Sequence, residues 1–280
     1  MQIFSTSTIF YPPYLISAFI ITMIWIKKNS SMKWRESFSL FFSKNIWLSK
    51  ESLVDFLCCI FVLIILKKWM SPFEDWLFTS QLNNMNHFLV TSWSFKLPPL
   101  AEGILATLVT MIAIDAASYF THRWMHSSKI LWKTHKFHHS ITQLNFMSTY
   151  RQNPIEVIIL NVFRTLAAAI GLAFFHWFFP DQTPVITIQG LGAGFFIYMF
   201  TVNLHHSHIP VHYPKFVCYI LISPHVHHLH HSTNSRHVGK NFGVVFSIWD
   251  RFFGTYHEEN VKIGELRFGN KISFTQTQSN

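Results

Sequence analysis

Charge is scarce in this sequence: only 12% of its 280 residues are Asp, Glu, Lys or Arg, about half the usual share. Half the residues are apolar, with 30 Phe and 10 Trp among them. A water-soluble domain of this length would struggle to cover so much apolar surface, so a membrane protein is expected. Cysteine is scarce too. Cys58, Cys59 and Cys218 are scattered and show no CxxC spacing, which excludes a disulfide framework and leaves no thiolate zinc site. The net charge of +9 sits in short loops between apolar runs, a placement that suits membrane topology and anionic headgroups. No basic stripe runs between exposed polar residues, so nucleic acid is not an expected partner. No basic leader precedes the first apolar run and no small-residue cleavage site follows it, so that run is expected to stay as an anchor.

Four or five runs approach the length of helix that crosses hydrocarbon: 8–26, 52–66, 100–121, 155–179 and 185–204. The second is short. The last two are separated only by "PDQTP", expected to be a tight hairpin. Lys and Arg are denser in 27–51 and 122–154 than in 67–98, which puts the two basic segments in the cytoplasm and the N-terminus outside. The hairpin then returns the chain to the same face, where 122–154 and 205–280 can meet. The expected fold is all-α: a polytopic membrane helical bundle of about four to five transmembrane helices, with its histidine-rich segments on the cytoplasmic face. Residues 1–98 supply the first spans and loops, 99–257 the histidine-rich domain, and 258–280 a loose polar tail. Asn161, Arg164 and His176 interrupt the fourth run; such groups face a cavity or snorkel, or else the first half of the run lies along the interface.

Fourteen of the 18 histidines fall in two windows, 122–139 and 205–231. His122 and His126, in "HRWMH", stand one helical turn apart. Asp115 and Tyr119 precede them on the same face, and Asp115 is a candidate acceptor for an imidazole N–H. "HKFHH" places His135, His138 and His139 at i, i+3 and i+4; "HHLHH" repeats that spacing with His227, His230 and His231. Eight imidazoles exceed what one ion needs and imply two metals. With no thiolate nearby, an open, nitrogen-rich pair suits oxygen activation by iron. His225 and His228 fall outside the repeated spacing and are expected to support the ligands or be exposed. His87, His176, His237 and His257 are set aside as ordinary surface or core residues.

At "DAASYFTHRWMH" (115–126), "HKFHHS" (135–140), "SPHVHHLHHS" (223–232) and "KNFGVVFSIWDRFFGTY" (240–256) the chain resembles the fatty acid hydroxylase / sterol desaturase superfamily of membrane di-iron proteins. The resemblance covers about half the chain, and it implies metal ligation by the eight histidines of the three boxes. It also implies a further ligand in "NLHHSHIP", best matched by His206, with His205 and His208 as alternatives. Asn153 stands where relatives often carry histidine. In the 240–256 run, Gly243 and Gly254 are expected to permit turns, Phe246, Trp249, Phe252 and Phe253 to face the membrane interface, and Asp250 to pair with Arg251.

The implied activity is hydroxylation or desaturation of a lipid, such as an acyl chain or sterol, by two iron ions and O2. No flavin, haem or nicotinamide motif is visible, so electrons are expected from a cytochrome b5-like protein, a ferredoxin or a reductase. The rival reading is a non-catalytic membrane metal-binding or transport protein. Transporters place ionisable groups at the midplane; here the histidines cluster at helix ends.

Overall fold

The computed structural model describes residues 12–88, 95–180, 202–261 and 264–269. The described chain is helical, apart from two isolated bridges, Leu221 with Phe246 and Ser232 with Phe268. The N-terminal part forms α1 (Pro12–Asn29), α2 (Trp34–Phe41), α3 (Lys44–Trp47), α4 (Lys50–Ile60) and α5 (Lys67–Phe88). A π-helical stretch, Phe61–Leu66, joins α4 to α5. Two long helices follow, α6 (Pro99–Ser127) and α8 (Pro154–Phe178), with the short α7 (Lys129–His135) between them. The rest is α9 (Asn203–His205), α10 (Lys215–Cys218), α11 (Pro224–His231) and α12 (Ile248–Phe252).

Two of the described helices, α6 and α8, are long and apolar enough to cross a membrane. They pack against each other, and α5 packs along α8. A small residue permits the close α6–α8 approach: a Cβ on Gly171 would lie 3.0 Å from the Thr110 Cα and 3.1 Å from the Ala113 Cβ. The polar residues of α8 point at neighbouring helices. Arg164 Nε donates to Ser118 Oγ at 2.8 Å, Asn161 Nδ2 donates to Glu74 Oε1 at 2.9 Å, and His176 Nδ1 lies 3.2 Å from Asn86 Nδ2. Each finds a partner inside the bundle, as polar groups on an apolar helix require.

The region expected to be a loop over 67–98 is helical as far as Phe88, continuing the second apolar run through the π stretch. The expected loop 27–51 likewise contains α2 and α3. The fifth apolar run, to residue 201, and the "PDQTP" hairpin, except Pro180, lie outside the described residues. The polar tail begins ordered rather than loose: Thr233 N donates to Arg267 O at 2.9 Å, and His225 Nε2 donates to Glu259 O at 2.6 Å. Residues 270–280 lie outside the described residues.

A buried polar knot ties the N-terminal helices to the turn before α8. Asp55 on α4 is fully buried and accepts from Asn145 Nδ2 and Ser148 Oγ, both at 2.6 Å, and from Arg151 Nε at 2.5 Å. Arg151 also pairs with the Glu51 carboxylate at 2.6 Å. Removing one partner of a buried ion pair strands the other charge, at a cost of about 3–5 kcal/mol. Asp55→Ala is therefore expected to lower the thermal unfolding midpoint of the detergent-solubilised protein sharply. An unchanged midpoint would show that the knot is not structural.

Candidate metal centre

The two transmembrane-length helices deliver the site to one end of the bundle. α6 carries His122 and His126 in its last two turns, and α7 follows at once, with Ser128 Oγ capping it by accepting from Leu131 N at 3.4 Å. α7 ends at His135, and a short 3-10 turn carries His138 and His139. His206 closes α9. α11 opens with Pro224 at its first turn, and Ser223 Oγ accepts from Val226 N at 3.3 Å, so the helix begins just where it must to carry His227, His230 and His231.

The side chains gather into two groups of buried imidazoles. His122, His126, His135, His139 and His230 form one; His138, His206, His227 and His231 form the other. Within each group one ring nitrogen per residue lies within 4.8 Å of all the others. In the first, His126 Nε2 lies 3.0 Å from His135 Nε2 and 3.1 Å from His139 Nε2. In the second, His206 Nε2 lies 3.3 Å from His138 Nε2, 3.1 Å from His231 Nε2 and 3.2 Å from His227 Nε2. The groups adjoin, with the rings of His139 and His231 stacked at 4.6 Å.

The boxes do not map one to one onto the groups. "HKFHH" sends His135 and His139 to the first and His138 to the second; "HHLHH" sends His227 and His231 to the second and His230 to the first. The five-residue box at 135–139 does not form a single helical face, because α7 stops at His135. These two boxes thus each contribute to both groups, in reciprocal fashion, while His122 and His126 of the remaining box both join the first.

Five of the opposite ring nitrogens are held outward by partners, whereas Nδ1 of His139 and of His227 is buried with none. His122 Nδ1 donates to Phe242 O at 2.8 Å, His230 Nδ1 to Lys240 O at 2.9 Å and His138 Nδ1 to Arg151 O at 3.2 Å. A carbonyl can only accept, so these rings carry hydrogen on Nδ1 and direct Nε2 inward. His135 Nδ1 lies 2.8 Å from Glu156 Oε1, and His206 Nδ1 is paired with the Thr149 hydroxyl at 2.8 Å. Burial pushes the His138 ring down to about 4 and the His230 ring to about 3, and it holds His139, His206, His227 and His231 well below the ordinary histidine range. Those rings are neutral at pH 7, the form that binds metal. His230 Nε2 is buried with no hydrogen-bond partner.

The donor set fits metal ions. Nitrogens at about 2.0–2.1 Å from a common ion stand about 2.8–3.4 Å apart for bond angles between octahedral and tetrahedral, the range seen between these Nε2 atoms. Apart from His230 Nε2, the inward nitrogens of His126, His135, His138, His139, His206, His227 and His231 lie within hydrogen-bond distance of one another, an arrangement a shared cation would satisfy.

Of the three alternatives in "NLHHSHIP", only His206 joins a group. His205 Nε2 donates to Ile222 O at 3.1 Å and His208 Nε2 donates to Leu40 O at 2.9 Å. His225 and His228 lie outside both groups, and both are buried rather than exposed. Asn153 caps α8, its Oδ1 accepting from Ile155 N at 3.0 Å.

Asp115 and Tyr119 do not touch the histidines. Asp115 accepts from Val245 N at 2.9 Å, Phe246 N at 3.0 Å and Trp249 Nε1 at 2.9 Å, because the 240–256 segment folds back over this face of α6. Tyr119 Oη lies 3.0 Å from Thr255 Oγ1, which donates to Asp250 Oδ1 at 2.7 Å. Asp250 accepts from Phe242 N at 2.8 Å and Gly243 N at 2.7 Å. The expected Asp250–Arg251 pair is therefore absent; Arg251 Nη2 instead donates to Cys218 O at 3.1 Å. Gly243 is required for close approach rather than for a turn: a Cβ there would lie 2.8 Å from Asp250 Oδ2 and 2.8 Å from Phe246 O. Both carboxylates thus brace the segment whose Lys240 and Phe242 carbonyls orient His230 and His122. Glu156 is the acid that meets a histidine directly, and its one sequence signal is a lone carboxylate at the head of an apolar run.

A cavity of about 460 Å³ opens onto the site. His122, His135, His138, His206 and His227 line it, together with Val62, Leu63, Met70, Met111, Ile114 and Leu160. Lys67, Glu74, Asn161 and Arg164 give it a polar component.

The comparisons with known proteins agree with this geometry. The chain is 28% identical to human alkylglycerol monooxygenase over 153 residues, 54% of this chain and 31% of that protein. It is 26% identical to ornithine lipid hydroxylase OlsE of Rhizobium tropici over 176 residues, 63% of this chain and 46% of that protein. It is also 26% identical to rice very-long-chain aldehyde decarbonylase GL1-9 over 183 residues, 62% of this chain and 64% of that protein. The match thus spans about a third of the alkylglycerol monooxygenase. No solved structure matches. The model of the family described as fatty acid hydroxylase matches residues 107–255, just over half the sequence and every one of the nine clustered histidines. The chain belongs to the fatty acid hydroxylase family.

Proposed function

We propose that this protein is an integral-membrane lipid hydroxylase holding two iron ions, one in each histidine group. The observation that carries the reading is nine buried imidazoles, in groups of five and four, five of which line a largely apolar cavity. His122, His126, His135, His139 and His230 would hold one ion; His138, His206, His227 and His231 the other. Bound there, the irons would supply O2 activation and oxidation of an unreactive C–H bond.

The chain's own residues have definable tasks. The carbonyls of Lys240, Phe242 and Arg151, with Glu156 and Thr149, fix ring orientation and keep Nε2 inward. Trp132 and Phe242 pack on His126, at centroid distances of 5.1 and 5.2 Å, and keep bulk water off the first group. Val62, Leu63 and Met70, from the π stretch and α5, line the cavity together with Met111 and Ile114 of α6 and Leu160 of α8, an apolar lining suited to an alkyl chain. The names of two relatives specify polar lipids, an alkylglycerol and an ornithine lipid. Asn161 and Arg164 give the polar end of such an amphiphile groups to bond. Hydroxylation is favoured over desaturation by those names.

Helix length supports a membrane placement. The 29 residues of α6 extend about 43 Å, beyond the roughly 30 Å of a hydrocarbon core. In this reading its last turns, with His122 and His126, would emerge at a membrane boundary, and the positive-inside bias of the basic segments favours the cytoplasmic one. A soluble carrier or reductase would deliver electrons there.

Three outcomes are expected. Lipid profiles of a host expressing the intact chain gain a hydroxylated lipid that is missing with His230→Ala; if both match the empty host, the enzyme reading fails. Metal analysis gives two irons per chain for the wild type and for His205→Ala, and a deficit for His206→Ala. Equal loss in both variants would displace His206 from its assigned place. Glu156→Ala lowers iron affinity or turnover about 10–100-fold, the usual cost of removing such an orienting acceptor, as measured by chelator competition and product formation.

A further inference from the structure

Among the described residues, one further group outside the nine clustered histidines brings together side chains with metal-binding chemistry: His237, His257 and Glu259. His237 ends a short 3-10 turn and is buried, and His257 is half-buried. Both residues are set aside by sequence reasoning because neither belongs to a spaced motif. Their Nε2 atoms face one carboxylate oxygen, Glu259 Oε2, at 3.5 and 3.6 Å. Both nitrogens are buried and without a hydrogen-bond partner. Separations of this size are too long for hydrogen bonds. They are close to the roughly 3.3–3.4 Å between donors that share a tetrahedral ion at about 2.0–2.1 Å.

The backbone around the three donors is fixed. Asn241 is fully buried, and its side chain brackets His257: Oδ1 accepts from the His257 N at 2.7 Å, and Nδ2 donates to the His257 O at 2.7 Å. His225 Nε2 donates to the Glu259 carbonyl at 2.6 Å. On the opposite side of the His237 ring, Nδ1 is paired with the Ser232 hydroxyl. Arg236 Nη2 holds the other Glu259 oxygen at 3.1 Å, leaving Oε2 to the two imidazoles. A fixed frame around two imidazole nitrogens and one carboxylate oxygen, with a solvent-facing side, is the donor set of mononuclear Zn2+ and Fe2+ sites.

We propose that His237, His257 and Glu259 form a third metal site, which takes a single divalent transition ion with water in its open positions. It clips the segment after α12 to the turn after α11. It is weaker and more exchangeable than the nine-histidine centres, because it has three ligands and an exposed side. Ser232 follows His231 directly in sequence and pairs with His237, so the clip also bears on the end of the helix that carries the second histidine group.

The test uses the full, tag-free protein in detergent with its resident metal retained. Zn2+ is titrated in by calorimetry, and iron in the same samples is counted before and after. The wild type is expected to bind one Zn2+ per chain beyond its resident metal, with no iron released and with a higher thermal midpoint. His257→Ala and Glu259→Gln are expected to lose that extra equivalent, or to bind it at least tenfold more weakly, while their resident iron content equals that of the wild type. Both positions retain solvent access, and Glu259→Gln preserves side-chain shape, so folding is not at stake. No uptake by the wild type, uptake matched by iron release, or unchanged uptake in both variants would overturn the proposal. Because the readout is the increment over resident metal, it stands or falls independently of the two-iron reading.

Discussion

The structure depends on one constraint: imidazoles crowded around a centre must all turn the same nitrogen inward while staying uncharged. A histidine has two ring nitrogens, and only an acceptor on the outer one decides which faces in. The fold supplies such partners to five of the nine rings: the Phe242, Lys240 and Arg151 carbonyls, the Glu156 carboxylate and the Thr149 hydroxyl. Burial reinforces the choice by disfavouring protonation, since a charged imidazole among buried neighbours would be both desolvated and repelled.

This constraint explains why regions distant in sequence from the histidines are built as they are. Asp55, on the fourth helix, holds the 145–151 turn that presents Thr149 and the Arg151 carbonyl to the second group. Asp115 and Asp250 hold the 240–249 segment that presents carbonyls to the first. Three buried carboxylates therefore act on the site at one remove, each by gripping the backbone or side chains of a loop. The loss of any of them would release a loop, and with it the ring orientation that the loop enforces.

The nine histidines were legible in the sequence because helical spacing makes convergence visible, and the resemblance extended them to His206. The long helices were legible from hydropathy. The partition into five and four was not, since it depends on α7 ending at His135 and so rotating His138 away from its neighbours. The true neighbours of Asp115 were hidden for a related reason: two of its three partners are backbone amides 130 or more residues away, and backbone groups leave no mark in a sequence. Glu156 carried a faint mark, an acid where an apolar run begins. His237, His257 and Glu259 carried none, because they are brought together by the folding back of the segment from Val238 to Tyr256 rather than by the spacing of one helix.

The central claim is that nine imidazoles hold two irons in all-nitrogen surroundings. Iron K-edge X-ray absorption on the purified protein, with the iron count of the same sample, tests it most directly. The account predicts two irons per chain and a first shell dominated by imidazole nitrogen, with the outer-shell scattering of histidine rings and no sulfur. One iron per chain, or a first shell dominated by carboxylate oxygen or containing sulfur, would contradict it.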